Sequence, residues 1–172
     1  CMVTLLSLCT RASAEQKTPS SGWVDLFNGQ DLQGWQSNES EESFRVLDGS
    51  IVADGPRSHL FYVGQSLKTA PAFKSFELLA EIMTTPRANS GIYFHTQWQK
   101  SGWLEVGYEA QVNNTHMGVG GYREIKRTGS LYGVRNAYQA FVRDNEWFQM
   151  KIRVAGKHIQ IFINDIKVVD YL

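Results

Sequence analysis

The sequence predicts an all-β domain built as two antiparallel sheets packed face to face, a sandwich or jelly roll. Three observations carry that prediction. Apolar residues recur with period two in short runs bounded by Gly, Asn and Asp. No window of about 12 or more residues holds a helical period. Asp48-Gly49 stands between two alternating runs, where it supplies the positive φ angles of a tight hairpin turn. At 172 residues the chain suits one domain and is short for two.

Taken in order, Phe44-Arg-Val-Leu47 and Ser50-Ile-Val-Ala53 are the two arms of that hairpin. From Phe76 to Met83, Phe76, Leu78, Ala80 and Ile82 alternate with Glu77, Leu79, Glu81 and Met83, a strand with one apolar and one mixed face. Gly91 to Thr96 sets Ile92 and Phe94 against Tyr93 and His95, and Tyr108 to Asn113 sets Tyr108, Ala110 and Val112 against Glu109, Gln111 and Asn113. Trp147 to Val154, His158 to Ile163 and Lys167 to Asp170, separated by Gly156 and by Asn164-Asp165, predict a closing meander. No repeat or low-complexity segment interrupts the pattern.

Ahead of the domain, the apolar run from Met2 to Thr10 ends in Ala12-Ser-Ala14, which fits the end of a secretory leader and its cleavage site, although the chain opens on Cys1 and lacks a basic start. Residues 1–14 are therefore expected to be the remnant of a signal peptide, 15–21 a linker, and 22–172 the domain, exported to the periplasm or beyond. Lipidation at Cys9 ranks below plain secretion, because Leu8 is too large for the position before a lipidated cysteine. No later run approaches the roughly 18 apolar residues of a membrane helix, so no transmembrane segment is expected.

Lys plus Arg and Asp plus Glu are both 17, so the net charge is zero and no global field favours nucleic acid. The only cysteines are Cys1 and Cys9, which removes thiol chemistry from the folded part. The five tryptophans, 23, 35, 98, 103 and 147, suit either a sandwich core or stacking on sugar rings.

Glu109, Gln111 and Asn113 share one strand face, and a neighbouring strand would bring Tyr93 and His95 to it. Such a face offers the planar polar partners and the titrating groups that a sugar site requires. Its ordinary alternative is the solvated side of an antiparallel sheet. His95, His116 and Glu109 raise the question of a divalent metal ion, but no helical His-Glu-x-x-His spacing supports one, so metal ligands are left unassigned. Arg123, Lys126 and Arg127 flank Gly129-Ser-Leu-Tyr132, either as a solvated basic loop or as a loop closing on substrate. Glu81, Glu105 and Glu124 are candidates for a second carboxylate of the paired glycosidase kind, which needs a separation of about 5 to 9.5 Å. The Glu-x-Asp-x-x-Glu strand of sandwich glucanases is not found in this sequence.

Gly22-Trp-Val-Asp-Leu-Phe-Asn-Gly-Gln-Asp-Leu-Gln-Gly-Trp35 resembles the opening of the 3-keto-α-glucoside 1,2-lyase/3-keto-2-hydroxyglucal hydratase family, also called 3-keto-disaccharide hydrolases. Asn89-Ser-Gly-Ile-Tyr-Phe94, Gly107-Tyr-Glu-Ala-Gln-Val112, Thr128-Gly-Ser-Leu-Tyr132, Glu146-Trp147, Ile163-Asn164 and Val168-Val-Asp170 continue the resemblance in order. The resemblance implies a concanavalin-like fold, export from a bacterium, and chemistry on sugars oxidised to a ketone at carbon 3. The glycosidic bond is broken by elimination and water is added to the resulting glycal. It also implies a Gly-x-Ile-x-Leu-Gln strand and a Phe-Arg-Asn strand beyond residue 172.

By motif position the resemblance implies Glu109 as base or acid, Tyr93 and His95 as wall and proton donor, Gln111 as substrate or ion ligand, Asn113 as a substrate contact, and Lys126 and Tyr132 as binders of the keto-sugar. No cofactor is assigned beyond the divalent ion left open, and the partner expected is a small 3-keto-glucoside. Two rivals remain at this point: a noncatalytic carbohydrate-binding sandwich of the lectin or laminin-G kind, and an ordinary glycoside hydrolase.

Overall fold

A strand with one apolar face must lay that face on another layer, and the computed structural model, which describes residues 4–7, 22–116 and 122–172, shows how this chain does so. In chain order the strands are β1 (Thr4–Ser7), β2 (Trp35–Ser37), β3 (Phe44–Leu47), β4 (Ser50–Ala53), β5 (Leu60–Tyr62) and β6 (Phe76–Thr84). They continue as β7 (Ser90–Phe94), β8 (Tyr108–Val112), β9 (Phe148–Ala155), β10 (His158–Ile163) and β11 (Ile166–Tyr171). Seven of them form one antiparallel sheet in the order β11-β10-β9-β6-β1-β4-β3, while β2 pairs with β5 and β7 with β8.

The all-β antiparallel sandwich predicted from periodicity is the observed architecture. Two of the three predicted turns have two residues at positive φ, Asp48 and Gly49 between β3 and β4, and Asn164 and Asp165 between β10 and β11. That geometry matches the right-handed twist of the flanking strands. Strand β1 falls within the expected leader. The rest of the leader and linker, 1–3 and 8–21, lies outside the described residues.

On the large sheet, Ala80 and Ile82 of β6, Met150 and Ile152 of β9, and Ile159, Ile161 and Ile163 of β10 are buried together. Phe94, Ala110, Val112 and Leu131 complete the same cluster from the opposite side, so β7 and β8 form a second layer over the sheet. Each fully buried aliphatic side chain contributes roughly 1.5–3 kcal/mol, and the layers are held mainly by this interdigitation. No helix among the described residues is long and apolar enough to cross a membrane.

With Ile92, Phe94, Ala110 and Val112 committed to the core, alternation sends Gly91, Tyr93, Glu109 and Gln111 to the other face of the β7–β8 pair. The register places Tyr93 opposite Glu109 and Gly91 opposite Gln111. Segment 129–132 extends this small sheet through bonds from Gln111 N to Ser130 O and from Tyr132 N to Glu109 O.

Candidate active site

Glu109 occupies the centre of the outer face of β8. Its carboxylate accepts a hydrogen bond from the Tyr93 hydroxyl across the strand pair, at 2.9 Å to Oε2. The carboxylate folds over Gly91: a Cβ at that position would lie 2.2 Å from Oε1 and 2.6 Å from Cγ of Glu109. The bare glycine is thus the space the carboxyl group uses. Burial is the main cause that lifts the Glu109 carboxyl to about 7, opposed by the Tyr93 bond, while Glu124 adds repulsion and Lys126 attraction. Burial and the neighbouring Glu109 charge push the Tyr93 phenol far above its ordinary value, so it stays a donor.

Glu124, only 1% exposed, is the second carboxylate of the site. It accepts bonds from the Tyr122 hydroxyl, from the Tyr132 hydroxyl at 2.8 Å and from the Lys126 backbone N–H at 2.8 Å. Burial alone would raise its carboxyl, but the bonds from Tyr122, Lys126 and Tyr132 outweigh burial and hold it below the ordinary range. Lys126 Nζ is 3.5 Å from Glu124 Oε1 and 4.1 Å from the centre of the Tyr132 ring. The ammonium group is therefore placed by an anion and an aromatic face together. Glu109 and Glu124 are electrostatically opposed, one protonating near neutrality and the other kept ionised, a separation of roles typical of acid–base sites.

Of the residues singled out from the sequence, Tyr93, Glu109, Lys126 and Tyr132 come together here. Gln111 is buried beside them, its Nε2 donating to Asn89 Oδ1 at 2.7 Å. Asn113 has another place. Its amide donates to the carbonyls of Glu124 at 3.1 Å and Lys126 at 2.9 Å, and its Oδ1 accepts from the His116 backbone N–H at 2.8 Å. With both donors and the acceptor committed and no exposed surface, Asn113 ties the loop that carries Glu124 and Lys126.

His95 also departs from expectation. Strand β7 ends at Phe94, and His95 turns into left-handed backbone with φ 53°, which breaks the alternation that would have put it beside Tyr93. Its ring lies against Phe76 and Phe94, and Nε2 pairs with the Lys74 carbonyl at 3.0 Å.

A different histidine borders Tyr93. The His59 ring, just before β5, meets the Tyr93 ring edge-on with centroids 5.4 Å apart. Its Nδ1 is buried with no hydrogen-bond partner. Burial is the main influence on this imidazole and lowers its pKa; Glu39 works against that and Arg57 adds to it. No sequence pattern marks His59, because its neighbours come from distant segments.

A divalent ion would need several free ligands here. Among the described residues no group of three or more His, Cys, Asp or Glu could hold one, and Glu124 is already committed to two tyrosines and a lysine. Among the described residues the donor set around Glu109 does not fit a resident metal.

The profile of the 3-keto-alpha-glucoside-1,2-lyase-like domain matches residues 22–172. Among solved structures, a provisionally assigned glycosyl hydrolase from Parabacteroides distasonis superposes with a TM-score of 0.70 at 21% identity, covering 86% of this chain and 70% of its own. Another from the same organism, likewise provisionally assigned, gives 0.61 at 26% identity, covering 80% and 71%. Among curated proteins no significant match to this chain is found.

Proposed function

The chain belongs to the family of 3-keto-alpha-glucoside-1,2-lyase-like domains, and from that premise we propose that it cleaves 3-keto-glucosides by elimination and hydrates the glycal that results. The family and its structural neighbours support a carbohydrate-processing role. The elimination rests on the site. The observation that carries it is the buried Glu109 carboxyl, bonded by the Tyr93 hydroxyl, with burial pushing it up to about 7 and the Lys126 charge acting on it.

A ketone at carbon 3 acidifies the proton on carbon 2. Near neutral pH the Glu109 carboxylate takes that proton, and the electron pair delocalises onto the ketone oxygen, where Lys126 offsets the developing charge. The pair then returns to form the carbon 1–carbon 2 double bond as the carbon 1–oxygen bond breaks. The leaving oxygen receives the proton Glu109 has just acquired. Hydration reverses the sense: Glu109 takes a proton from water as the water oxygen bonds to carbon 1, the double-bond pair moves onto carbon 2 and the ketone oxygen, and Glu109 returns its proton to carbon 2. The net change is addition of one water across the glycosidic bond. A group that must act as base and then acid works best with a pKa near the operating pH, which is where burial sets Glu109. Glu124 serves by holding Lys126 and by keeping Tyr122 and Tyr132 as donors.

Export of the chain remains part of this proposal, with a small keto-sugar as partner. Incubation with a nitrophenyl 3-keto-glucoside and with its unoxidised parent tests the reaction. Release from the keto-sugar alone is the expected result. Equal release from both would mean an ordinary hydrolase, and release from neither with retained sugar binding would mean a binding module.

A further inference from the structure

Two sides of Glu109 differ in kind. On one lie Glu124, Lys126 and Tyr132, charged and suited to an enolate. On the other, beyond Tyr93, lies an aromatic corner of His59 and Trp103, whose ring centroids are 6.1 Å apart. Trp103 is 67% exposed, yet it is not loosely placed. Gln99 Nε2 donates to the carbonyls of Ser101 at 2.6 Å and Trp103 at 2.9 Å, which folds the loop on itself. Arg57, paired through two bonds with Glu39, sits over the indole at 5.3 Å. Asn38 joins both halves: its Oδ1 accepts the His59 backbone N–H at 2.8 Å, and its Nδ2 donates to the Gln99 carbonyl at 2.9 Å. A large apolar ring already placed at the surface beside a site costs less ordering entropy on binding, which favours binding.

The imidazole adds direction. A neutral histidine carries one ring proton, and an orphaned buried N–H is rarer than an orphaned lone pair. With Nδ1 buried and partnerless, the proton belongs on Nε2. That nitrogen has no hydrogen-bond partner among the described residues, and His59 lines the same cavity as Tyr93, Glu109 and Trp103. It is a donor without an acceptor.

We propose that His59 and Trp103 form the subsite for the leaving group of the glycoside, the indole as a platform for a ring with an apolar face and the imidazole Nε2–H as donor to one of its oxygens. This rests on the elimination reading above, which puts the keto-sugar ring against Lys126 and so sends the departing ring toward Trp103. The ligand is a neutral second sugar ring, and the new assignment is that His59 and Trp103 are the residues that tell it from a small leaving group.

The test compares the full chain with Trp103→Ala and His59→Phe on a 3-keto-disaccharide and on methyl 3-keto-glucoside, alongside calorimetric titration with unoxidised cellobiose. The expected result is a fall of about tenfold in the ratio of kcat/KM for the disaccharide over the methyl glycoside in each variant, with cellobiose binding weakened similarly. Equal losses on both substrates, or no loss on either, would overturn the subsite. Should the unmodified chain turn over neither keto-sugar, the elimination reading falls by itself, and the cellobiose titration alone decides: weakening in Trp103→Ala sustains the subsite, unchanged binding removes it.

Discussion

Replacing Glu109 by glutamine removes a charge while keeping the shape of the side chain and an oxygen for the Tyr93 hydroxyl. The native carboxyl is raised from 4.5 to about 7, chiefly by burial. The native state therefore binds a proton more tightly than the unfolded chain. Between pH 4.5 and 7 it holds more protons, so this group makes stability fall as pH rises through that window and leaves it level above. At about 1.4 kcal/mol for each tenfold in the proton equilibrium, the ionised group disfavours folding by roughly 3 kcal/mol at pH 8. Glu109→Gln escapes that cost. Urea unfolding of both proteins at pH 5 and pH 8 should show the variant's advantage growing by about 2–3 kcal/mol toward the higher pH, with elimination lost at both. Parallel stabilities at the two pH values would refute the claim that burial holds this carboxyl near neutrality.

Gly91→Ala places a Cβ 2.2 Å from Glu109 Oε1 without forcing a left-handed backbone. Elimination is expected to fall by about tenfold or more, with its pH profile displaced, while the unfolding midpoint in urea changes little. Asn113→Ala leaves the carbonyls of Glu124 and Lys126 without their buried donor, and should cost about 1–3 kcal/mol in urea unfolding and raise KM as the loop loosens. Glu124→Gln weakens the hold on Lys126, and is expected to lower kcat for a keto-glucoside more than it raises KM. A change in KM alone would contradict the placement of Lys126 at the enolate.

Most of the fold was legible because its long strands alternate cleanly. In β9, Phe148, Met150, Ile152 and Val154 are buried and the residues between them face outward, the pattern periodicity detects. Strands β2 and β5 have three residues each, too few for a period to declare itself. Tyr93 and Glu109 were readable as one face because a regular register joins β7 and β8. The same logic failed for His95, since alternation says nothing once the backbone turns left-handed at φ 53°. Asn113 continued the polar face in parity but lies past the end of β8, where the incoming loop claims its amide. Glu124 and His59 carry no local signal at all. What sets Glu124 apart is enclosure by Tyr122 and Tyr132, and what surrounds His59 comes from segments that join only when the chain folds.

The central claim is that Glu109 removes the proton from carbon 2 of a keto-sugar. A 3-keto-glucoside carrying deuterium at carbon 2 tests this most directly, by comparing its cleavage rate with that of the protio sugar under single-turnover conditions. The account predicts slower cleavage of the deuterated substrate and loss of the label from the product to solvent. Equal rates with deuterium fully retained at carbon 2 would contradict elimination and return the site to direct displacement at carbon 1.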